Sequence, residues 1–252
     1  MWIYMALFPP HPAFGHLLPQ GEGTGGRSVL VSLMAPPEHN APAAGVTGVI
    51  LAGGQSSRMG SNKALLPYRG GRFIESICRQ LLGLFEELLL VTNSPEQYDF
   101  LGCRMVPDLY PGLGALAGLH AGLYHSRTPH IFAVACDMPY LNDTLIRALL
   151  ARRHQADVVI PESGDGLEPL HAVYGAGCLP AMEQALLSGR RRIVSFFPQT
   201  RVHYFTSDQV ATIDQDFSSF SNINTPADYF ELRKNENGVH ESAHPSCKAV
   251  AL

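Results

Sequence analysis

The stretch that most constrains this chain is TGVILAG, residues 47–53: an uncharged, mainly aliphatic run that ends in glycine. A strand points alternate side chains to opposite faces, so a run apolar on both faces must be covered on both. That calls for helices above and below a sheet, and a parallel sheet supplies them. From Val46 to about Lys234 the same rhythm continues. FIESICRQLLGLF, from Phe73, carries apolar residues at helical spacing. ELLLVTN and CRMVPD read as strands with Asn93 and Asp108 at their carboxyl ends. A helix is expected over 113–125, and IFAVACDMPYL as a buried strand ending in Asp137. LNDTLIRALLARRH is an amphipathic helix with Asn142 or Asp143 as N-cap. DVVIP and HAVYG are further strands, and CLPAMEQALLSG is a helix closed by Gly189. The expected fold is α/β: a mostly parallel sheet with helices on both faces.

The apolar share of 46% against 16% charged residues is enough to build that core in a chain of 252 residues. A formal net charge of -4 leaves no broad basic footprint for nucleic acid. No apolar stretch approaches the roughly 20 residues of a membrane span. The five cysteines are odd in number, scattered and without a CxxC pair, which suits a reducing, cytoplasmic setting. The leader through Ala44 is rich in proline, glycine and alanine and reads as a flexible extension, with Met34 as an alternative start. A single domain is expected over 45–235 and a mobile tail over 236–252.

In folds of this kind, ligands sit beyond the carboxyl ends of the strands. The polar residues found there are those of the loop Gly53 to Lys63, Asn93, Asp108 and Asp137. The loop, GGQSSRMGSNK, has the character of a phosphate cradle. Glycines let backbone N–H groups approach an anion, and Arg58 and Lys63 add positive charge. It is neither a Walker A loop nor GxGxxG, and a plain strand-to-helix turn is the alternative. Asp137 is placed to fix a hard cation such as Mg²⁺, which takes one or two carboxylates and fills its other positions with water and phosphates. Its alternative role is to cap the next helix. Asp108 reads also as a turn residue. Gly112, Gly114 and Ala117 fit GxGxxA, but the preceding strand is short and followed by Pro111, so a tightly packed loop and helix start is expected there. His171 opens an apolar strand, either touching substrate or lying in the wall.

LAGGQSSRMGSNK resembles the signature loop LAGG-x-S-x-RMG-x-x-K of nucleotidyltransferases, which is shared with sugar-nucleotide pyrophosphorylases and cytidylyltransferases. VTN, PDLYPG, LAGL, CDMPYL, EPLHAVY, GRRRIVSFF and FSNINTPADY narrow it. In that order they are similar to the molybdenum cofactor guanylyltransferase family, the MobA family, over nearly all of the expected domain. The resemblance implies a Rossmann-like three-layer α/β/α sandwich around the mostly parallel sheet, and transfer of GMP from GTP to the molybdopterin cofactor, with release of pyrophosphate and use of Mg²⁺. It implies that backbone of Leu51, Ala52 and Gly53 lines guanine and ribose, and that Gly54, Arg58 and Lys63 hold phosphates. Asn93 and Asp108 would contact the nucleotide and Asp137 would ligate Mg²⁺. Asn222 and Asn224 would lie on the pterin side or near the metal. Transient contact with cofactor-biosynthesis proteins or recipient apoenzymes also follows.

Two positions depart from the pattern: Asn62 stands where the family often has aspartate, and Ala115 where it often has proline. For the large anionic acceptor the candidates are the 164–168 loop, His171, the run Arg190, Arg191 and Arg192, and Asn222 and Asn224. No general base is needed, because a phosphate monoester is largely ionised near neutral pH. The competing readings are a cytidylyltransferase on the same cofactor, a sugar-phosphate nucleotidyltransferase, and a non-catalytic nucleotide-binding protein that delivers cofactor.

Overall fold

A computed structural model of the chain describes residues 42–53 and 62–241, the last helix beyond Lys234 by its backbone alone. Of the expected leader only 42–44 lies among them, where the Ala43 N–H donates to the Leu84 carbonyl at 2.8 Å. Gly54, Arg58 and the tail from 242 onward lie outside the described residues.

The strands are β1 Val46–Leu51, β2 Pro67–Tyr68, β3 Gly71–Arg72, β4 Glu87–Val91, β5 Arg104–Val106, β6 His130–Ala135, β7 Val158–Ser163, β8 Gly166–Leu167, β9 His171–Gly175 and β10 Val202–Phe205. The helices are α1 Phe73–Leu82, α2 Ala115–His125, α3 Asp143–Leu150, α4 Leu179–Leu187, α5 Ser207–Ala211 and α6 Pro226–Glu241. The main sheet runs in the order β10-β7-β9-β6-β1-β4-β5, with β8 added to β7, while β2 and β3 form a separate hairpin. Pairs around β1 are parallel, as are β4 with β5 and β7 with β10. Strand β9 runs antiparallel to both β6 and β7. The mostly parallel sandwich expected from the sequence is therefore present, with one reversed strand inside it.

Alternation along the central strands explains their uniformly apolar sequence. Val46 and Ile50 of β1, Leu90 of β4 and Phe132 and Val134 of β6 join one core with α1 and α3. Val49, Leu51, Leu89, Val91, Ile131 and Ala133 point the other way, into a second core with α2 and α4. On that second face α2 sits very close to β1. A Cβ built on Gly122 would lie 2.6 Å from Val49 Cγ1. Small residues at Ala117, Gly118, Ala121 and Gly122 are what permit this approach.

Helix ends follow local chemistry. Asn142 accepts from the N–H groups of Thr144 and Leu145 and so caps α3. Asp137 therefore does not serve as that cap. Gly189, at φ +73°, ends α4 in the left-handed conformation, and the N–H of Arg190 reaches back to the Ala185 carbonyl at 3.0 Å. The last helix runs to Glu241, past the expected domain edge at 235.

Candidate active site

Register places the rim. Leu51 pairs with Val91 on one side and Ala135 on the other, and Val91 pairs with Val106. Four strands thus end together, and the chain leaves each with a polar group: Gly53 after β1, Asn93 after β4, Asp108 after β5 and Asp137 after β6. A cleft of about 260 Å³ opens above them. Leu51, Ala52, Gly53, Lys63, Asp108 and Asp137 all line it.

Lys63 opens a single 3-10 turn, Lys63–Leu65, and Asn62 caps that turn by accepting from the Ala64 N–H at 3.1 Å. The ammonium of Lys63 donates to Asn224 Oδ1 at 3.1 Å. Its charge acts on Asp137, whose carboxyl is pushed up by burial while Lys63 pulls it back down. The main chain joins the same contact: the Ile223 N–H donates to the Asp137 carbonyl at 3.0 Å. Asp228, near the start of α6, accepts from the N–H groups of Asn224 and Thr225, both at 2.8 Å. Asn224 is thus held from behind while its side-chain oxygen faces Lys63. Asn222 is exposed one residue before Ile223.

Asn93 and Asp108 form a reciprocal pair. Asn93 Nδ2 donates to Asp108 Oδ2 at 3.1 Å, and the Asp108 N–H donates to Asn93 Oδ1 at 2.9 Å. Burial raises the Asp108 carboxyl above its ordinary value, against the Asn93 hydrogen bond. Behind this pair a Cβ on Gly118 would lie 3.5 Å from Asp108 Oδ1 and 3.6 Å from Leu51 Cδ2. The glycine-rich segment before α2 lines the cleft with Gly114, Ala115 and Gly118, as a packed loop and helix start. Ala115 takes the first helical position without proline, and the turn still closes through Ala117 N–H to the Gly114 carbonyl at 3.1 Å.

The exposed Arg191 borders this loop. Its carbonyl oxygen lies 3.8 Å from where a Cβ on Gly114 would stand. The 164–168 loop is the β7–β8 hairpin turn, tied by Ser163 Oγ donating to Glu168 Oε1 at 2.6 Å, and Leu170 beyond it lines the cleft.

His171 requires a correction. The sequence allowed it to touch substrate, but its side chain is 0% exposed and turned into the core. It stands edge-on to Phe132 and Phe220, at 5.1 and 5.2 Å between ring centres. Neither ring nitrogen has a hydrogen-bond partner among the described residues. Burial pushes its pKa down to about 3, against the charge of Asp214. It is a neutral core residue in this structure, set there because it begins a strand buried along its whole length.

Sequence reasoning also missed Tyr98, which lines the cleft and accepts from Asn62 Nδ2 at 2.8 Å. Its segment, SPEQYDF, is polar and aperiodic and carries no signal for it.

The arrangement brings a cationic side chain, two half-buried carboxylates and strand-end backbone into one cleft. This suits binding of a polyanion and a hard cation rather than nucleophilic catalysis by a side chain. Residues 48–203 match the family described as the MobA-like NTP transferase domain. A relative from Pelotomaculum thermopropionicum named probable molybdenum cofactor guanylyltransferase is 37% identical over 187 residues, 74% of this chain and 91% of that protein. One from Desulfosudis oleivorans named molybdenum cofactor guanylyltransferase is 35% identical over 77% of this chain and 96% of its own length. The crystal structure of molybdopterin-guanine dinucleotide biosynthesis protein A from Archaeoglobus fulgidus superposes with a TM-score of 0.67, at 27% identity over 76% of this chain and 99% of the other. The sheet, the cleft and these likenesses together make the chain a member of the MobA-like NTP transferase family, in the company of molybdenum cofactor guanylyltransferases.

Proposed function

We propose that the chain transfers GMP from GTP to the phosphate of the molybdopterin cofactor, forming the guanine dinucleotide cofactor and releasing pyrophosphate. The observation that carries this reading is the meeting of Lys63, Asp137 and Asn224 at the carboxyl end of the sheet. The names of its relatives supply the base and the acceptor.

In this reading the backbone of Leu51, Ala52 and Gly53 receives the base and ribose, with Asn93 holding Asp108 beside them. Both reactants are anions, so the main task is to bring them together and hold them in line. Lys63 neutralises phosphate oxygens, and Gly54 and Arg58, which lie outside the described residues, serve the same end. Asn224 orients the ammonium until the nucleotide takes it. Arg191, which borders the Gly114 loop, and the exposed Asn222 are the acceptor-side candidates.

The residues present fit Mg²⁺. Asp137 and Asp108 are the acidic side chains lining the cleft, and no group of three or more His, Cys, Asp or Glu gathers to hold a metal among the described residues. A cation here would keep most of its positions for phosphate oxygens and water, as Mg²⁺ prefers. Bound on Asp137, it would offset the charge that develops on the leaving pyrophosphate. Work in the cytoplasm agrees with free thiols at Cys78, Cys103, Cys136 and Cys178. Among the described residues no helix is long and apolar enough to cross a membrane.

The test is pyrophosphate release from GTP and from CTP, with and without molybdopterin and with and without Mg²⁺. Release that needs GTP, the pterin and the metal together supports the proposal. Preference for CTP refutes the base assignment. Turnover that survives chelation refutes the metal, and absence of release under all conditions refutes the enzyme.

A further inference from the structure

Tyr98 is the one hydroxyl among the described residues that line the cleft. Its surroundings fix how that hydroxyl is used. Asn62 Oδ1 accepts from the Ala64 backbone N–H at 3.1 Å, and a backbone amide can only donate, so the orientation of the Asn62 side chain follows. The amide hydrogens of Asn62 then go to Gln97 Oε1 at 2.7 Å and to the Tyr98 oxygen at 2.8 Å. The Tyr98 oxygen is thereby an acceptor, and its own hydrogen finds no acceptor among the described residues. Tyr98 as a whole is 2% exposed, and it meets the cleft. Burial also raises the pKa of the phenol, although the Asn62 hydrogen bond opposes this, so the proton stays on near neutral pH. The cleft is where this hydrogen can be used. Lys63, next in the chain to Asn62, lines the same cleft, and its ammonium would attract an anion there.

We propose that Tyr98 is a further nucleotide-binding residue whose O–H donates to a phosphoryl oxygen beside Lys63, and that Asn62 is the positioning residue that turns the hydroxyl toward the cleft. This rests on the reading of the cleft as a nucleoside triphosphate site. It also gives the asparagine at position 62 a task that a carboxylate, which has no hydrogen to donate, cannot perform.

The experiment is calorimetric titration of GTP with Mg²⁺ into four proteins: the full chain, Tyr98→Phe, Asn62→Ser and the double variant. Guanosine serves as the phosphate-free probe, by displacement of a fluorescent GTP analogue. Phenylalanine keeps the buried ring, and serine keeps a cap for the Ala64 N–H. Tyr98→Phe should weaken GTP on the order of tenfold, the usual worth of a hydrogen bond to a charged group. It should leave guanosine within about twofold. Asn62→Ser should weaken GTP in the same direction, and the double variant should be no worse than Tyr98→Phe by more than about twofold, because the two act through one hydroxyl. Unchanged GTP affinity in Tyr98→Phe overturns the proposal, as does an equal loss for guanosine. Additive losses overturn the role of Asn62. If the unaltered chain binds neither GTP nor any other nucleoside triphosphate, the functional reading itself fails and this inference falls with it.

Discussion

His171 should make the protein sensitive to mild acid, and the size of the effect can be worked out. In the unfolded chain its pKa is near the ordinary 6.5, whereas in the fold burial holds it at about 3. Between those values the unfolded state binds a proton that the native state refuses. Stability therefore rises with pH through this window and falls as the solution is acidified. Each pH unit below the unfolded value costs about 1.4 kcal/mol. At about pH 5 the loss from this one residue is roughly 2 kcal/mol, a substantial part of the 5–15 kcal/mol that holds a typical domain together. The perturbation is His171→Leu, which leaves an apolar side chain between Phe132 and Phe220. The assay is urea unfolding of both proteins at about pH 7 and pH 5. The unaltered protein should lose roughly 2 kcal/mol more than the variant between the two. His120, His125 and His130 are also held below their ordinary values by burial, but they act in both proteins and cancel in the comparison. At neutral pH the variant should be at least as stable, because the two unpartnered ring nitrogens are gone. Equal losses on acidification in both proteins would refute the reasoning.

Lys63→Ala and Asp137→Ala should each lower turnover by about two orders of magnitude or more, read as pyrophosphate release, with melting temperatures little changed. Near-normal rates in both would refute their assigned roles. Gly122→Ala should cost about 1–3 kcal/mol in urea unfolding, because the new methyl meets Val49 Cγ1 at 2.6 Å. Gly164→Ala, where nothing lies within 4 Å, is its control and should change stability much less. Replacing Arg190, Arg191 and Arg192 together with alanine should raise KM for the pterin acceptor and leave GTP affinity unchanged; an unchanged acceptor KM would remove them from that side of the site.

The layers were legible in the sequence because strands buried on two faces cannot hide their composition: Val49 and Ile50 face different cores, and both must be apolar. The rim was legible for a related reason. A polar residue at the end of an apolar strand has nowhere to go but the strand's end, and Asn93, Asp108 and Asp137 all stand there. Direction was not legible, since HAVYG reads the same whichever way it runs. Its reversal follows from the short connection after β7, which leaves no room for a crossover helix. His171 misled because a histidine that meets substrate and one wedged between two phenylalanines look alike in one dimension. Contacts between distant parts were hidden for the same reason, and they assemble the cleft. Lys63 meets Asn224 across 161 positions, and Asn62 meets Tyr98 across 36. The first contact joins the late segment to the lysine, and the Ile223 N–H joins that segment to the Asp137 carbonyl. One short stretch thus touches both charged residues on which transfer is proposed to depend. Anything that shifts 222–224 would reach the lysine and the aspartate together, so the acceptor side proposed for this segment would be physically coupled to the nucleotide side.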